Sequence, residues 1–460
     1  VVIALGECLI SIDFILASLA LPTITQTLQL DAAAAQWVIS AYSLAFGGFL
    51  ILGGRLSDLI GSKRCYMVGV GLVTLGAALS GFAASLGQLI IARTLQGIGA
   101  AFLLPSALSL LVQAFPDQER RLRAITAITA AQIVASILGM IAAGILIAAL
   151  GTHGAFLVNL PLGICTLFAA PYLLPPRVAK KHRQPPIALG SALLITAASA
   201  LLVRSVSTLS LRNGGHQSTL WMAIAAFGLF SAFLLRQRST PYPLVSATVF
   251  RSPDFVVGVL LQAVIAAAGA AMISLASMSL QRSQHYSPLQ VGLGLIPYGT
   301  VSLFMMWLVR RLGSRILVRP RSAVVCSLIC MAGAYLLLSR PFSPNSFAIN
   351  FLPALTLLPI GLALGLGVTI GRALGGVPAE YQGVASAVLY MVRMITIAIV
   401  IALMLAVSVP ADPGLSEMAL RTPYKHGYEV GFALCLAGML AACAMRPLLP
   451  GQAALKTVTP

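Results

Sequence analysis

Apolar stretches of about 20 residues recur along the whole of this chain, and most have no polar face. That length of helix matches the hydrocarbon thickness of a bilayer. Of 460 residues, 59% are hydrophobic and only 9% charged, against about 25% charged in a soluble domain. Inside lipid the backbone has no water to bond, so each stretch must satisfy its own N–H and C=O groups as a helix. A transmembrane β-barrel would instead show alternation over about 10 residues. The chain is therefore an all-α integral membrane protein of about fourteen transmembrane helices. Spans are expected at 1–25, 34–56, 65–85, 88–114, 122–150, 154–174, 188–206 and 218–236. The remaining six fall at 254–279, 288–310, 321–339, 346–371, 382–408 and 427–446.

The net charge of +18 would suggest nucleic acid in a soluble protein, but here its placement decides. One set of alternate loops carries Arg55, Lys63, Arg64, Arg120, Arg121, Arg123, Arg177, Lys180, Lys181, Arg183, Arg236, Arg238 and Arg251. The same side collects Arg310, Arg311, Arg315, Arg319, Arg321, Arg372, Arg446 and Lys456, whereas the other holds Arg204, Arg212, Arg282, Arg340, Arg421 and Lys425. Positive charge stays on the cytoplasmic side. The first set is thus cytoplasmic and, with an even span count, so are both termini. Val1 already lies within an apolar run, so a short cytoplasmic segment is expected to precede it. Glu7 and Asp13 and the length of that run argue against a cleavable signal sequence.

Seven cysteines, an odd number placed in or beside apolar segments, do not suggest a disulfide framework. His153, His182, His216, His285 and His426 fall in expected loops without ligand spacing, so no metal and no cofactor is expected. No G-x-x-x-x-G-K-[ST] sequence is present, which argues against ATP-driven pumping by this chain.

The basic, proline-flanked stretch PPRVAKKHRQPP divides six helices from eight, and a weak repeat spans it. IGSKR after the second span resembles LGSRI after the tenth, and QGIGAAF in the fourth resembles LGLGVTI in the twelfth. The organisation read from this is a six-helix bundle at 1–174, a cytoplasmic linker at 175–187, and an inserted helix pair with its following loop at 188–253. A second, pseudo-symmetric six-helix bundle follows at 254–446, then a cytoplasmic tail at 447–460. Such repeats are typical of secondary transporters, with the substrate site near midplane between the halves.

Particular residues carry a more specific resemblance. Gly54-Arg55-Leu56-Ser57-Asp58-Leu59-Ile60-Gly61-Ser62-Lys63-Arg64, between spans two and three, resembles the loop signature of the major facilitator superfamily. Gly54 and Gly61 are expected to allow close helix approach and a tight turn, and Asp58 to cap a helix or pair with a cation. Gly54, Asp58, Gly61, Lys63 and Arg64 thus form a candidate conformational latch. LIIARTLQGIGAAFLLPSALSLL from Leu89 resembles the family's fourth-helix motif. SIDFILASLALP resembles the first-helix signature of its fourteen-helix drug:proton antiporters. QWVISAYSLAFG, FLVNLPLG, YSPLQVGLGLIP and GVASAVLYMVRMI resemble the same branch, in the correct order. Departures exist: in the fifth-helix stretch SILGMIAAG, Met140 stands where that motif has proline and Ala143 where it has glycine. Ser18 and Ile15 replace an Asn and a Thr of the first-helix signature, and THGA replaces an aromatic-Arg-aromatic cluster.

The resemblance implies a monomeric exporter of hydrophobic or amphipathic drug-like molecules, cationic ones included, in exchange for protons across the bacterial inner membrane. Its partners would be a small-molecule substrate, protons and membrane lipid, with no nucleic acid. Ionisable residues deep in a span are costly and are functional candidates by default. Asp13, about 18 Å along its helix from Val1, is expected to be the coupling carboxylate. Burial favours its neutral form and a nearby arginine its charged form, which is the competition a proton carrier needs. A static ion pair with Arg93 is the plainer alternative. Glu7 lies about 120° away around the helix, as a second proton site, a cation-binding group or part of the cytoplasmic mouth. Arg93 joins the proton relay by resemblance; Arg393 matches a family position without a derived role. Tyr42, Gln96, Gln132, Tyr390 and Arg393 are candidates for the substrate cavity, and Met305, Met306, Trp307 and Tyr390 for a soft apolar wall. A proton symporter or facilitator for uptake remains a second reading. A non-transporting sensor and a polytopic membrane enzyme are readings from other classes; the enzyme lacks a paired catalytic set within the spans.

Overall fold

Helices account for the fold, and their ends explain why they start where they do. The computed structural model describes residues 1–30, 32–115, 117–174, 189–208, 216–240, 247–318, 320–340, 347–375, 377, 382–408 and 424–443. The expected linker at 175–187 and tail at 447–460 lie outside the described residues. In chain order the helices are α1 (Val2–Thr27), α2 (Ala32–Ile60), α3 (Ser62–Gly81), α4 (Leu86–Ala114) and α5 (Gln118–Leu150). Next come α6 (Thr152–Leu157), α7 (Asn159–Leu173), α8 (Leu189–Thr208), α9 (His216–Ser239), α10 (Pro253–Ser283) and α11 (Pro288–Gly294). They are followed by α12 (Ile296–Val318), α13 (Pro320–Leu338), α14 (Leu352–Gly375), α15 (Gln382–Ser408) and α16 (Lys425–Cys443). Side-chain caps open several of them. Ser85, Asp117 and Ser252 each accept from a backbone N–H three residues on, and Ser287 and Gln290 form a reciprocal capping box.

Among the described residues, 13 helical segments are long and apolar enough to cross a membrane. A further span runs through α6 and α7, which are divided only at Val158. The protein is thus a multi-pass membrane protein, with helix at each of the fourteen expected positions. Large apolar side chains point outward, with Phe82, Phe168, Phe227 and Leu440 more than 70% exposed; lipid rather than water suits such a surface. Helix α9 is the most peripheral, with 17% of its apolar window buried.

Helices α1–α7 pack as one six-span bundle and α10–α16 as its pseudo-symmetric partner. Helices α1 and α10, the first of each half, meet at the seam through Ser18 and Ser274, whose hydroxyls lie 3.1 Å apart. The inserted pair α8–α9 rests on the seam, with α8 touching both α2 and α15. The approach of α8 to α2 requires Gly48, where a Cβ would fall 1.7 Å from the Thr196 hydroxyl.

Two expectations are corrected. His153, His216 and His426 lie in helices at their N-terminal ends rather than in loops; His285 is in a loop, and His182 is outside the described residues. Arg310, Arg311 and Arg315 belong to the last turns of α12, because that helix runs eight residues past the expected boundary of 310. Long cationic side chains let a helix continue into the headgroup layer while their charges reach water.

Candidate functional site

The centre of the N-terminal half is an ion pair sealed from solvent. Asp13 of α1 and Arg93 of α4 are both fully buried, with Arg93 Nη1 2.6 Å from Asp13 Oδ2. Gln96, three residues after Arg93 and so on the same helix face, donates to Asp13 Oδ1 at 2.6 Å and accepts from Arg93 Nη1 at 2.8 Å. Asn159, the first residue of α7, donates to Asp13 Oδ1 at 2.9 Å. Arg93 Nε donates to the Val38 carbonyl of α2 at 3.0 Å. Its guanidinium carbon lies 4.6 Å from the Tyr42 ring centroid and 5.7 Å from that of Phe156. One carboxylate thereby ties α1 to α4 and α7, and its arginine adds α2.

The backbone makes this reach possible. A Cβ at Gly97 would lie 2.4 Å from the Tyr42 carbonyl, so α4 comes against α2 only because Gly97 has none. Asn159 follows the break at Val158, which points it across the bundle from a helix start. Its role was missed in the sequence: the residue stood within FLVNLPLG, but a single polar residue in an apolar run carries no sign of a partner 146 positions away.

Between the halves lies a cavity of about 360 Å³, within the range of small-molecule sites. Of the expected cavity residues, Tyr42, Gln132 and Arg393 line it. Gln96 does not: it is 0% exposed and turned onto Asp13. Tyr390 lies beside Arg393, its ring centroid 5.7 Å from the guanidinium, but is not part of the wall. Trp307 is 50% exposed on the outer surface of α12, with Arg311 5.4 Å from its ring. Met305 and Met306 are also off the cavity, and Met140, Met394 and Phe46 form the soft wall instead. In a bilayer an outward face is as apolar as an inward one, so hydrophobicity did not separate them.

Tyr42 connects ion pair and cavity, facing Arg93 while lining the open space. A second acid approaches the cavity through one intermediary. Glu7 is 6% exposed and accepts from Gln132 Nε2 at 3.0 Å, and Gln132 lines the wall. The other Glu7 carboxylate oxygen is buried without a hydrogen-bond partner among the described residues.

At the Thr25 end of α1 the two halves meet directly. Gln281 Nε2 of α10 donates to the Leu19 carbonyl at 3.0 Å, and Arg282 donates to the Thr25 hydroxyl. Beside them α5 and α11 meet almost backbone to backbone: a Cβ at Gly144 would lie 2.7 Å from Leu289 Cα, and one at Gly292 would lie 2.9 Å from the Met140 carbonyl. Helix α5 is unbroken from Gln118 to Leu150.

The loop between α2 and α3 turns at Gly61, whose φ of 93° suits glycine. Gly54, however, is not the point of close approach: its nearest neighbour would be Pro105 Cβ at 3.8 Å. Gly53 fills that role, with the Ala101 carbonyl 2.0 Å from its would-be Cβ; one residue is a rotation of about 100° on a helix. Lys63 donates to the carbonyls of Pro171 and Leu174 at 2.6 and 3.1 Å, a cation on the C-terminal end of α7. Asp58 is half-buried at the end of α2, and Arg64 is exposed.

Residues 3–401 match the family model described as the Major Facilitator Superfamily. The cephamycin export protein CmcT of Amycolatopsis lactamdurans is 30% identical over 458 residues, covering 97% of this chain and 90% of that protein. The multidrug resistance protein Stp of Mycobacterium tuberculosis is 30% identical over 395 residues, covering 85% of this chain and 72% of that protein. The peptide transporter POT crystallised with sulfate superimposes with a TM-score of 0.69, covering 96% of this chain and 94% of that one; at 15% identity this is a likeness of fold. Two six-span bundles, a cavity at their seam and a family match over most of its length establish that the chain belongs to the Major Facilitator Superfamily of membrane transporters.

Proposed function

We propose that this protein exports hydrophobic or amphipathic drug-like molecules in exchange for protons, from a bacterial cytoplasm and with both termini on the cytoplasmic side. The single observation that carries the reading is Asp13, buried at midspan, three-fold hydrogen-bonded and paired with Arg93, which lies against the cavity-lining Tyr42. Relatives named for cephamycin export and multidrug resistance support the direction of transport.

Alternating access needs two conformations of similar energy and a ligand that binds them differently. The proton is that ligand. While Asp13 is ionised, Arg93, Gln96 and Asn159 all converge on it and hold α1 against α4 and α7. Protonation removes the charge that balances Arg93, so the four-helix junction loosens and the halves can rock about the seam. The seam contacts at Thr25 and Gly144 belong to the state closed on the outer side, with the cavity available from the cytoplasm. The driving force is adequate: about 1.4 kcal/mol per pH unit for each proton, plus about 2.3 kcal/mol per charge for each 100 mV. Glu7, linked to the wall by Gln132, is the second proton site in this reading.

The test of direction uses cells loaded with a lipophilic dye. Expression of the protein is expected to deplete the dye, and dissipating the proton gradient to abolish depletion. Accumulation of dye on expression would make the protein an importer and refute the reading.

A further inference from the structure

Among the described residues, the cavity wall contains a cation and no acid. Arg393 of α15 lines it, and neither Asp nor Glu is among the lining residues. Both buried acids of α1 are engaged elsewhere: Asp13 faces Arg93, and Glu7 meets the cavity only through Gln132. The two buried arginines among the described residues have carboxylates, whereas Arg393 is half-buried. Arg93 has Asp13, and Arg372 of α14 reaches Asp254 of α10 at 2.8 Å. Arg393 has none among the described residues. It makes no hydrogen bond to them, its Nε is buried without a partner, and the side chains beside it are the tyrosines Tyr390 and Tyr298.

An uncompensated guanidinium at mid-membrane is expensive. Its planar fork of donors matches a carboxylate, sulfonate or phosphate. The space beside it is walled by Phe46, Met140 and Met394, apolar and adaptable. Shape and charge together describe a site for a molecule with a negative head and an apolar body.

We propose that Arg393 is the anion-recognition group of the transport cavity, so that the preferred substrates are amphipathic anions and cationic amphiphiles are disfavoured. This deepens the export reading and rests on it. An anion leaving and a proton entering both run down an inside-negative membrane potential, so the exchange would be electrogenic.

The test is equilibrium binding to the full chain in phosphatidylcholine nanodiscs, titrated against empty nanodiscs, with 1-pyrenebutyrate, its methyl ester and 1-pyrenebutylamine. The acid is expected to bind at least about tenfold tighter than the ester or the amine, about 1.4 kcal/mol. Arg393→Gln is expected to abolish that preference, and Arg393→Lys to retain part of it. Equal binding of acid and ester by the wild type, tighter binding of the amine, no binding of any of the three, or an undiminished preference in Arg393→Gln would each overturn the proposal. The wild-type comparison needs no variant to fold. It also uses no gradient, so equal affinities would remove the anion site while leaving export standing. Repeating the titration with phosphatidylglycerol distinguishes the source of the anion. Weaker acid binding in the wild type alone identifies a lipid headgroup as occupant of the same site; unchanged binding identifies a free carboxylate.

Discussion

The Asp13–Arg93 pair should behave energetically as one unit. Asp13→Asn leaves Arg93 buried without its counter-charge, and Arg93→Met leaves Asp13 with only the donors of Gln96 and Asn159. Removing one member of a buried pair costs about 3–5 kcal/mol, whereas replacing both by groups of similar volume is often close to neutral. The double variant should therefore cost far less than the two single variants together, with a coupling of about 3 kcal/mol or more. The cation–π contacts of Arg93 with Tyr42 and Phe156 put a floor under the Arg93→Met cost, since they are lost whatever Asp13 does. The assay is a double-mutant cycle on unfolding in mixed detergent micelles of graded denaturing strength, with the native fraction followed by size-exclusion chromatography. Single effects that add to within about 0.5 kcal/mol would mean the two residues are energetically independent. The argument that this pair holds α1 to α4 would then be wrong.

Three further outcomes follow from the same geometry. Asn159→Leu removes one charge-assisted hydrogen bond to Asp13 and should cost about 1.5–3 kcal/mol in the same unfolding assay; no loss would show that Asn159 is a bystander. Glu7→Gln keeps a partner for Gln132, so the protein should fold and bind substrate, while proton flux per substrate in liposomes falls; an unchanged ratio would remove Glu7 from coupling. Gly144→Val places a side chain where Leu289 Cα would be 2.7 Å from its Cβ, which should wedge α5 from α11. A cysteine at Gln281, within a background lacking other reactive thiols, should then react several-fold faster with an impermeant maleimide added outside; an unchanged rate would contradict the assignment of that seam as the outer gate.

The spans were legible because each is a run of apolar residues of bilayer length, a signal that survives without knowledge of neighbours. Asp13 and Arg93 were legible for a related reason: an ionised group in such a run is costly enough to demand a purpose. What the sequence withheld was rotation. Gln96 faces the acid rather than the cavity, Gly53 rather than Gly54 meets α4, and Trp307 faces outward. Each differs from expectation by how a helix is turned about its axis. Polar contrast fixes that turn in a soluble helix. Lipid and protein interior are both apolar, so in this chain the contrast is absent. The turn is set instead by where small residues let helices touch, as at Gly97 against Tyr42 and Gly144 against Leu289. The break at Val158 was hidden for a similar reason, since apolar residues continue on both sides of it.

Coupling through Asp13 is the central claim, and proton movement in liposomes tests it most directly. Purified protein would be reconstituted under an imposed pH gradient and lumenal pH followed while lipophilic anions, neutral compounds and cations are added in turn. The wild type should move protons on addition of a transported compound, and Asp13→Asn, while still binding that compound, should move none. Equal proton movement in the two would show that Asp13 is a structural ion pair and that coupling resides elsewhere.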